Sequence, residues 1–505
     1  MLVRAPVKVP ALPPAPTPVK PTWGLRRALT WNFKTIFLLS LAAGLAAGAA
    51  SALLGYISMD YAVYSVGMVG LAALIAITGQ AERVLLAIIL LDVPFALDFN
   101  PLYDPFFASV GAITGYNISL TTLCLPVLYL IWLMKSASKA NSAPALPLFP
   151  KSALWLPILW IVFNLLSILA AESPMMSVYS LFLLIQSLLL YIYLVANIKT
   201  SADLNYILFF LFLGITLESL LMIGLRIYGQ SFSFAGFNAR VDPDLRVGGT
   251  LGGPNTASTY LSMLLPLCAS YFLLVRQHKP ILTTLSLTGF ILGVVALFLT
   301  LSRGGWVSFA IALFLFLFII LYFRRVSAKI LLLGMFILAL LLLFQDLITS
   351  RITGFDAGSA ETRLYLMDIA FRMIRDHPIL GVGLNNYALV MLSYFANYNR
   401  SVYLTVVHND FVRVWAEIGP GGLLTFIAFH LYLIQRGWAA WRQKDVLFGA
   451  VALGLMVALI GHTAHMLVES FHGRVLMELY WLIAGIITAA SYQNHTYLDS
   501  SEAAP

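Results

Sequence analysis

The segment His408-Asn409-Asp410-Phe411-Val412-Arg413-Val414-Trp415-Ala416-Glu417-Ile418-Gly419-Pro420-Gly421-Gly422 holds the densest chemistry in the chain. An imidazole at 408 can take up a proton near neutral pH. Arg413 and Glu417 stand four residues apart, about one helical turn, and can pair on one face. At a membrane edge such ionisable groups are costly, and they are usually paired or functional. The glycines at 419, 421 and 422 would let a second helix or a lipid approach the backbone. The plain alternative for His408 is an interfacial hydrogen-bonding anchor.

Three arginines form a second set. Arg303 lies in Ser302-Arg303-Gly304-Gly305, and Arg246 precedes the glycine-rich run from Gly248 to Asn255. Arg363 falls near the start of an amphipathic stretch from about Glu361 to Asp376, in which Asp368 and Arg372 can pair. Guanidinium groups present a fixed fork of donors suited to phosphate and stay charged in a dry site. The plain alternative for Arg303 is snorkelling to lipid headgroups. His462, His465 and Glu469 share one helix face, a spacing that could hold a metal. They lack the His-Glu-x-x-His pattern, so a structural or substrate-contact role is favoured over a metal.

The elements that must position these groups are membrane helices. The chain has 505 residues, of which 60% are hydrophobic and 10% charged, where a soluble domain carries about 25% charge. Fourteen candidate spans can be placed, at about 35–56, 59–79, 84–97, 117–134, 152–170, 177–196, 206–226, 257–275, 280–300, 305–323, 330–347, 411–435, 446–468 and 473–491. Most are long enough to cross a hydrocarbon layer of about 30 Å as helices, and the weak alternation of a membrane barrel is missing. The span at 84–97 is short and carries Asp92 and Pro94. The fold class expected is all-α and polytopic, with about 12–14 transmembrane helices. Its parts are a disordered Pro-rich basic tail over 1–34, transmembrane helices over 35–205 and 206–347, a large outer loop over 348–410, further helices over 411–491, and a tail over 492–505. A turn is expected at Gly381-Val382-Gly383, with a short helix after Asn386. Cys124 and Cys268 both fall inside spans, which disfavours a disulfide framework.

Charge orients the bundle. With both termini in the cytoplasm, all ten lysines fall on the inner side, while eleven residues, every one an arginine, fall on the outer side or at outer helix ends. The net charge of +8 therefore reports topology before nucleic acid. Arginine without lysine on the outer face suggests oxyanion binding, although some of these arginines can pair with nearby acids. A transporter or flippase for an anionic or lipid-linked substrate is the competing class. It calls for internal repeats and mid-span charges, but no convincing repeat is found and the charges gather at the outer surface. A receptor or scaffold gives no reason for His408, Arg303 and Arg246 to share one side.

The chain resembles the O-antigen ligase and polymerase superfamily. His408-Asn409, nine residues, then Gly419-Pro420-Gly421-Gly422 match that family's His-Asn/Ser/Gln, nine residues, Gly-x-x-Gly motif at the end of its large periplasmic loop. Arg246 with Gly249 and Pro254-Asn255 is similar to its pattern before a mid-chain span, and Ser302-Arg303-Gly304 to its Ser-Arg-Gly. Arg363 with Pro378-Ile379-Leu380-Gly381-Val382-Gly383 and Asn386-Tyr387 is similar to its outer loop. The likeness covers about residues 206–435. It implies a GT-C-like glycosyltransferase in a bacterial inner membrane, with its active site facing outward and needing neither metal nor nucleotide sugar. The donor would be a glycan on undecaprenyl pyrophosphate, and the acceptor another glycan or a lipid A core. Under that implication His408 either acts as general base or orients substrate. Arg246, Arg303 and Arg363 hold the pyrophosphate, and Asn255, Asn409, Arg413 and Glu417 position substrate. Ligase and polymerase fit equally well, and a protein-glycosylating relative is a further possibility.

Overall fold

The structure, a computed structural model, describes residues 79–140, 151–234, 237–275, 279–323, 328–353, 359–395, 405–443 and 445–502. The expected tail over 1–34 and the expected spans at 35–56 and 59–79 lie outside the described residues. The described helices all belong to one unit, from Gln80 onward.

Among the described residues there are sixteen α-helices: α1 Ala81–Phe95, α2 Pro105–Ser109, α3 Leu120–Ala140, α4 Lys151–Ser167, α5 Pro174–Asn197, α6 Ser201–Tyr228, α7 Pro254–Leu274, α8 Pro280–Leu299, α9 Arg303–Tyr322, α10 Ala328–Leu343, α11 Gln345–Thr353, α12 Ser359–Asp376, α13 Tyr387–Val390, α14 Asp410–Trp441, α15 Val446–Met466 and α16 Arg474–Glu502. Nine of these described helices are long and apolar enough to cross a membrane, and the pair α10–α11, bent by 63°, makes a tenth if counted as one span. The chain is an all-α polytopic membrane protein.

Starts and stops follow local chemistry. Thr200 and Asp203 form a capping box at the start of α6. Prolines occupy the first helical position of α5, α7 and α8, where the missing N–H has no intrahelical partner to lose. The helices differ in what their apolar surface meets. Buried residues make up 89% of the apolar window of α7 and 83% of that of α15, but only 22% for α4, so α7 and α15 form the core and α4 faces lipid. α15 packs along α7, α9, α14 and α16.

Two expectations need correction. The stretch at 84–97 forms the fifteen-residue α1, which is shorter than the nine candidate spans, carries Pro94 and stops at Ala96 in the left-handed region. Its Asp92 is buried against Arg474 at 3.1 Å. The stretch at 117–134 gives a shorter apolar helix, Leu120–Lys135. Two small antiparallel sheets were also unforeseen: β1 Asp98–Phe99 with β2 Ile118–Ser119, and β3 Phe232–Phe234, β4 Phe237–Val241 and β5 Val247–Gly249 in the order β3-β4-β5. The second sheet occupies the segment between α6 and α7. The expected tail from 492 continues the helix α16 to Glu502. Cys124 and Cys268 are free and buried.

The long segment between α11 and α14 contains the expected amphipathic helix. Leu366, Ile369, Ala370, Met373 and Ile374 of α12 are buried, the three-and-four spacing of one helix face, and the Asp368–Arg372 pair closes at 3.0 Å. That face packs on Val382, Tyr387, Met391, Val407 and Ala416. The Gly381-Val382-Gly383 turn docks against a break in α14. Gly419 has φ 71° and ψ −179°, a conformation essentially reserved for glycine. The break frees the carbonyls of Ala416 and Glu417, which accept the N–H groups of Val382 at 2.8 Å and Gly383 at 2.9 Å. A Cβ on Gly419 would lie 2.0 Å from the Ile379 carbonyl oxygen. Asn385 and Asn386 complete the attachment. Asn385 bonds both backbone polar groups of Ile113, and Asn386 bonds both of Ser173.

Candidate active site

The start of α7, the junction of α8 and α9, the end of α11, the start of α12 and the end of α15 border a cavity of about 250 Å³. It is lined by Arg246, Arg303, Arg351 and Arg363, with Asn255, His465 and Glu469. Each arginine comes from a different element. Arg246 precedes β5, Arg303 opens α9, Arg351 ends α11 and Arg363 begins α12. The lining therefore carries four guanidiniums and one carboxylate, and such a surface favours an anion with several oxygens.

Local backbone aims these groups. Ser302 caps α9. Leu301, just before it, holds φ 53°, left-handed and uncommon for a branched residue. Its carbonyl accepts the Arg351 Nε at 3.1 Å. Leu245, just before Arg246, is left-handed too, at φ 60°, and its carbonyl accepts from Arg226. Arg246 donates Nε to the Thr300 carbonyl at 3.2 Å and Nη2 to Asn255 Oδ1 at 2.9 Å. Burial, and next the neighbouring Arg351, lower its pKa from the ordinary value, yet an arginine remains a cation at neutral pH. Gly304 lets His465 lie against α9, since a Cβ there would meet the imidazole at 2.6 Å.

His408 joins this cavity through one residue. Its Nδ1 lies 2.7 Å from Glu469 Oε1, and Glu469 Oε2 accepts Asn255 Nδ2 at 2.6 Å. Imidazole, carboxylate, amide and guanidinium thus form one hydrogen-bonded run, His408–Glu469–Asn255–Arg246. Burial pushes the Glu469 carboxyl up, but the hydrogen bond and charge of His408 outweigh it and hold the pKa below its ordinary value. An ionised carboxylate can only accept, so Nδ1 must carry the proton. In the neutral ring the lone pair then stands on Nε2, the form a general base needs.

The other expected site residues take different places. Asn409 is the N-cap of α14, with Oδ1 accepting the Val412 N–H at 3.0 Å and Nδ2 donating to the Leu467 carbonyl at 3.1 Å. It fixes His408 beside the Glu469 segment instead of facing the cavity. Arg413 and Glu417 pair at 2.8 Å as expected, and Asp410 joins Arg413 at 2.7 Å. They sit apart from the arginine cavity, along a second, largely apolar one lined also by Trp160, Phe426 and His462. Glu417 also accepts from the backbone of Asn385 and Tyr387, so the pair anchors the segment that follows α12. His465 and Glu469 line the arginine cavity together, whereas His462 lines the second, apolar one, so only His462 is set apart from the face that spacing had given all three.

Residues 288–427, from within α8 to beyond the break in α14, match the model of the family described as O-antigen ligase. Over that segment the chain is similar to the O-antigen ligase family, which supports the superfamily resemblance read from the motifs. The matched O-antigen ligase segment includes Arg303, Arg351, Arg363 and His408, while Arg246, Asn255 and Glu469 lie outside it and reach the same cavity from either side. No curated protein matches the chain.

Sequence reasoning missed Glu469 as the partner of His408, and it missed Arg351. Glu469 read as the end of a His-His-Glu face. Its spacing after α15 held no sign of His408, 61 residues earlier.

Proposed function

We propose that this protein is a GT-C-like glycosyltransferase that moves a glycan from undecaprenyl pyrophosphate to an acceptor hydroxyl at the periplasmic face of a bacterial inner membrane. The observation that carries the reading is the convergence of four arginines on one cavity, tied by Asn255 and Glu469 to an imidazole of fixed tautomer.

In this reading the arginine cavity holds the diphosphate. The acceptor O–H approaches the anomeric carbon and gives its proton to His408 Nε2. The new C–O bond forms as the bond from the anomeric carbon to the phosphate oxygen breaks. The electron pair leaves on undecaprenyl pyrophosphate, and preorganised guanidiniums stabilise that charge. Proton transfer supplies about 10²–10⁴-fold, and holding two large substrates in register supplies much of the remainder. The lysine distribution supports an outward-facing site. The cavity lies at the arginine-bearing helix ends, while Lys199, Lys279 and Lys329 stand at the opposite ends of the same helices.

The test is a purified reaction with lipid-linked repeat units. Wild-type protein should transfer glycan, and His408→Ala and Arg303→Ala should transfer it far more slowly. Longer chains without core lipid would identify a polymerase, and transfer only with lipid A core a ligase. Full activity in both variants would remove the assignment.

A further inference from the structure

A larger cavity, of about 620 Å³, lies on the far side of the wall that bounds the arginine site. Consecutive residues divide between the two. Asn255 and Glu469 face the arginine cavity, whereas Thr256 and Ser470 face the larger one. The wall thus includes Glu469, the residue bonded to His408.

The two linings differ in chemistry. The larger cavity is bordered by the amides of Asn117 and Asn238, the hydroxyls of Thr256 and Ser470 and the ring of Tyr103. Its charged members are already matched. Arg474 holds Asp98 at 2.7 Å and Arg240 holds Asp242 at 3.1 Å. His472 adds no cation, because burial and then Arg413 push its pKa down to about 3. Paired charges, amides and hydroxyls around an exposed aromatic suit a ligand rich in hydroxyls and without net charge. They suit neither a diphosphate nor a lipid tail.

We propose that this cavity seats the acceptor sugar, so that anion and acceptor occupy adjoining sites sorted by charge. The proposal rests on the transferase reading. Asn238 and Tyr103, the latter 57% exposed, make suitable probes because their truncation spares the core. The ligand is a lipid-free oligosaccharide prepared from the host's own surface glycan. Its binding is measured without donor by saturation-transfer NMR, and transfer is measured separately. In the double variant Asn238→Ala, Tyr103→Ala, oligosaccharide affinity should fall about tenfold, as expected for two lost polar contacts. KM for the acceptor should rise in step, with KM for the donor unchanged. Unchanged oligosaccharide affinity, or a rise confined to the donor's KM, overturns the proposal while leaving the transferase reading intact. Weakened binding in the variant with no transfer by wild type would keep the sugar site and sink the transferase reading.

Discussion

Under the proposed transferase reading, Glu469 and the cavity arginines would act on the reaction in different ways, and their variants should differ accordingly. Replacing Glu469 with Gln keeps the shape but lets Nδ1 serve as an acceptor, so Nε2 can carry the proton instead. By analogy with loss of the orienting carboxylate in serine proteases, kcat should fall by about 10²–10⁴-fold with KM for the donor little changed. Steady-state transfer rates check this, and an unaltered kcat would remove Glu469 from the proton path. Arg351→Ala and Arg303→Ala should each lower kcat/KM by about 10²–10³-fold, the usual effect of removing one preorganised charge stabiliser. The His408–Glu469 pair also links stability to pH. A carboxylate whose folded pKa is depressed stabilises the fold above its unfolded value, about pH 4.3, and loses that contribution as pH falls through the folded value. The Tm difference between wild type and Glu469→Gln should therefore shrink below about pH 4. His408, Arg246, Arg303 and Arg363 were legible because each sits in a short run of fixed spacing. Arg351, in an unpatterned stretch, carries no such mark.

At the scale of elements, the two most informative glycines hold separate parts together. Gly419→Ala would drive a Cβ into the Ile379 carbonyl and impose a backbone conformation that alanine resists. It should destabilise the protein by about 3 kcal/mol or more, in the range tied to strain at a special φ/ψ, read as Tm in detergent. Gly304→Ala should leave Tm nearly unchanged but displace His465, and a misplacement of about 1 Å in an active site can cost up to 10²-fold in rate. The long helices were legible because apolar runs in lipid have few other options. The Gly-Pro-Gly-Gly break was legible as a close approach of backbones, but not the docking of the 381–383 turn on the carbonyls it frees. The strands around Arg246 were not foreseen, because their partners are set by hairpin pairing within a glycine-rich segment, where periodicity is faint.

Across the whole molecule, the bundle is fastened by polar groups that sequence placed far apart. Arg474, buried at the start of α16, binds Asp92 at 3.1 Å, Asp98 at 2.7 Å and Glu478 at 2.9 Å. Arg474→Leu would leave three carboxylates without their cation and should cost about 3–5 kcal/mol, measured as loss of folded protein in detergent. That cluster explains why an acid at 92 inside an apolar stretch marked a short helix. Its partner lies 382 residues away and no local pattern announces it.

The connector between α15 and α16 has only seven residues, 467–473. It borders all three cavities, and one of its members clasps the imidazole. A link so short and so shared has little slack. Lengthening it by even one residue would carry Glu469 out of register with both Asn255 and His408. Relatives that diverge in the glycans they handle are therefore expected to vary in the strands around Arg240 and the loop that carries Tyr103, while keeping the length of this strap constant.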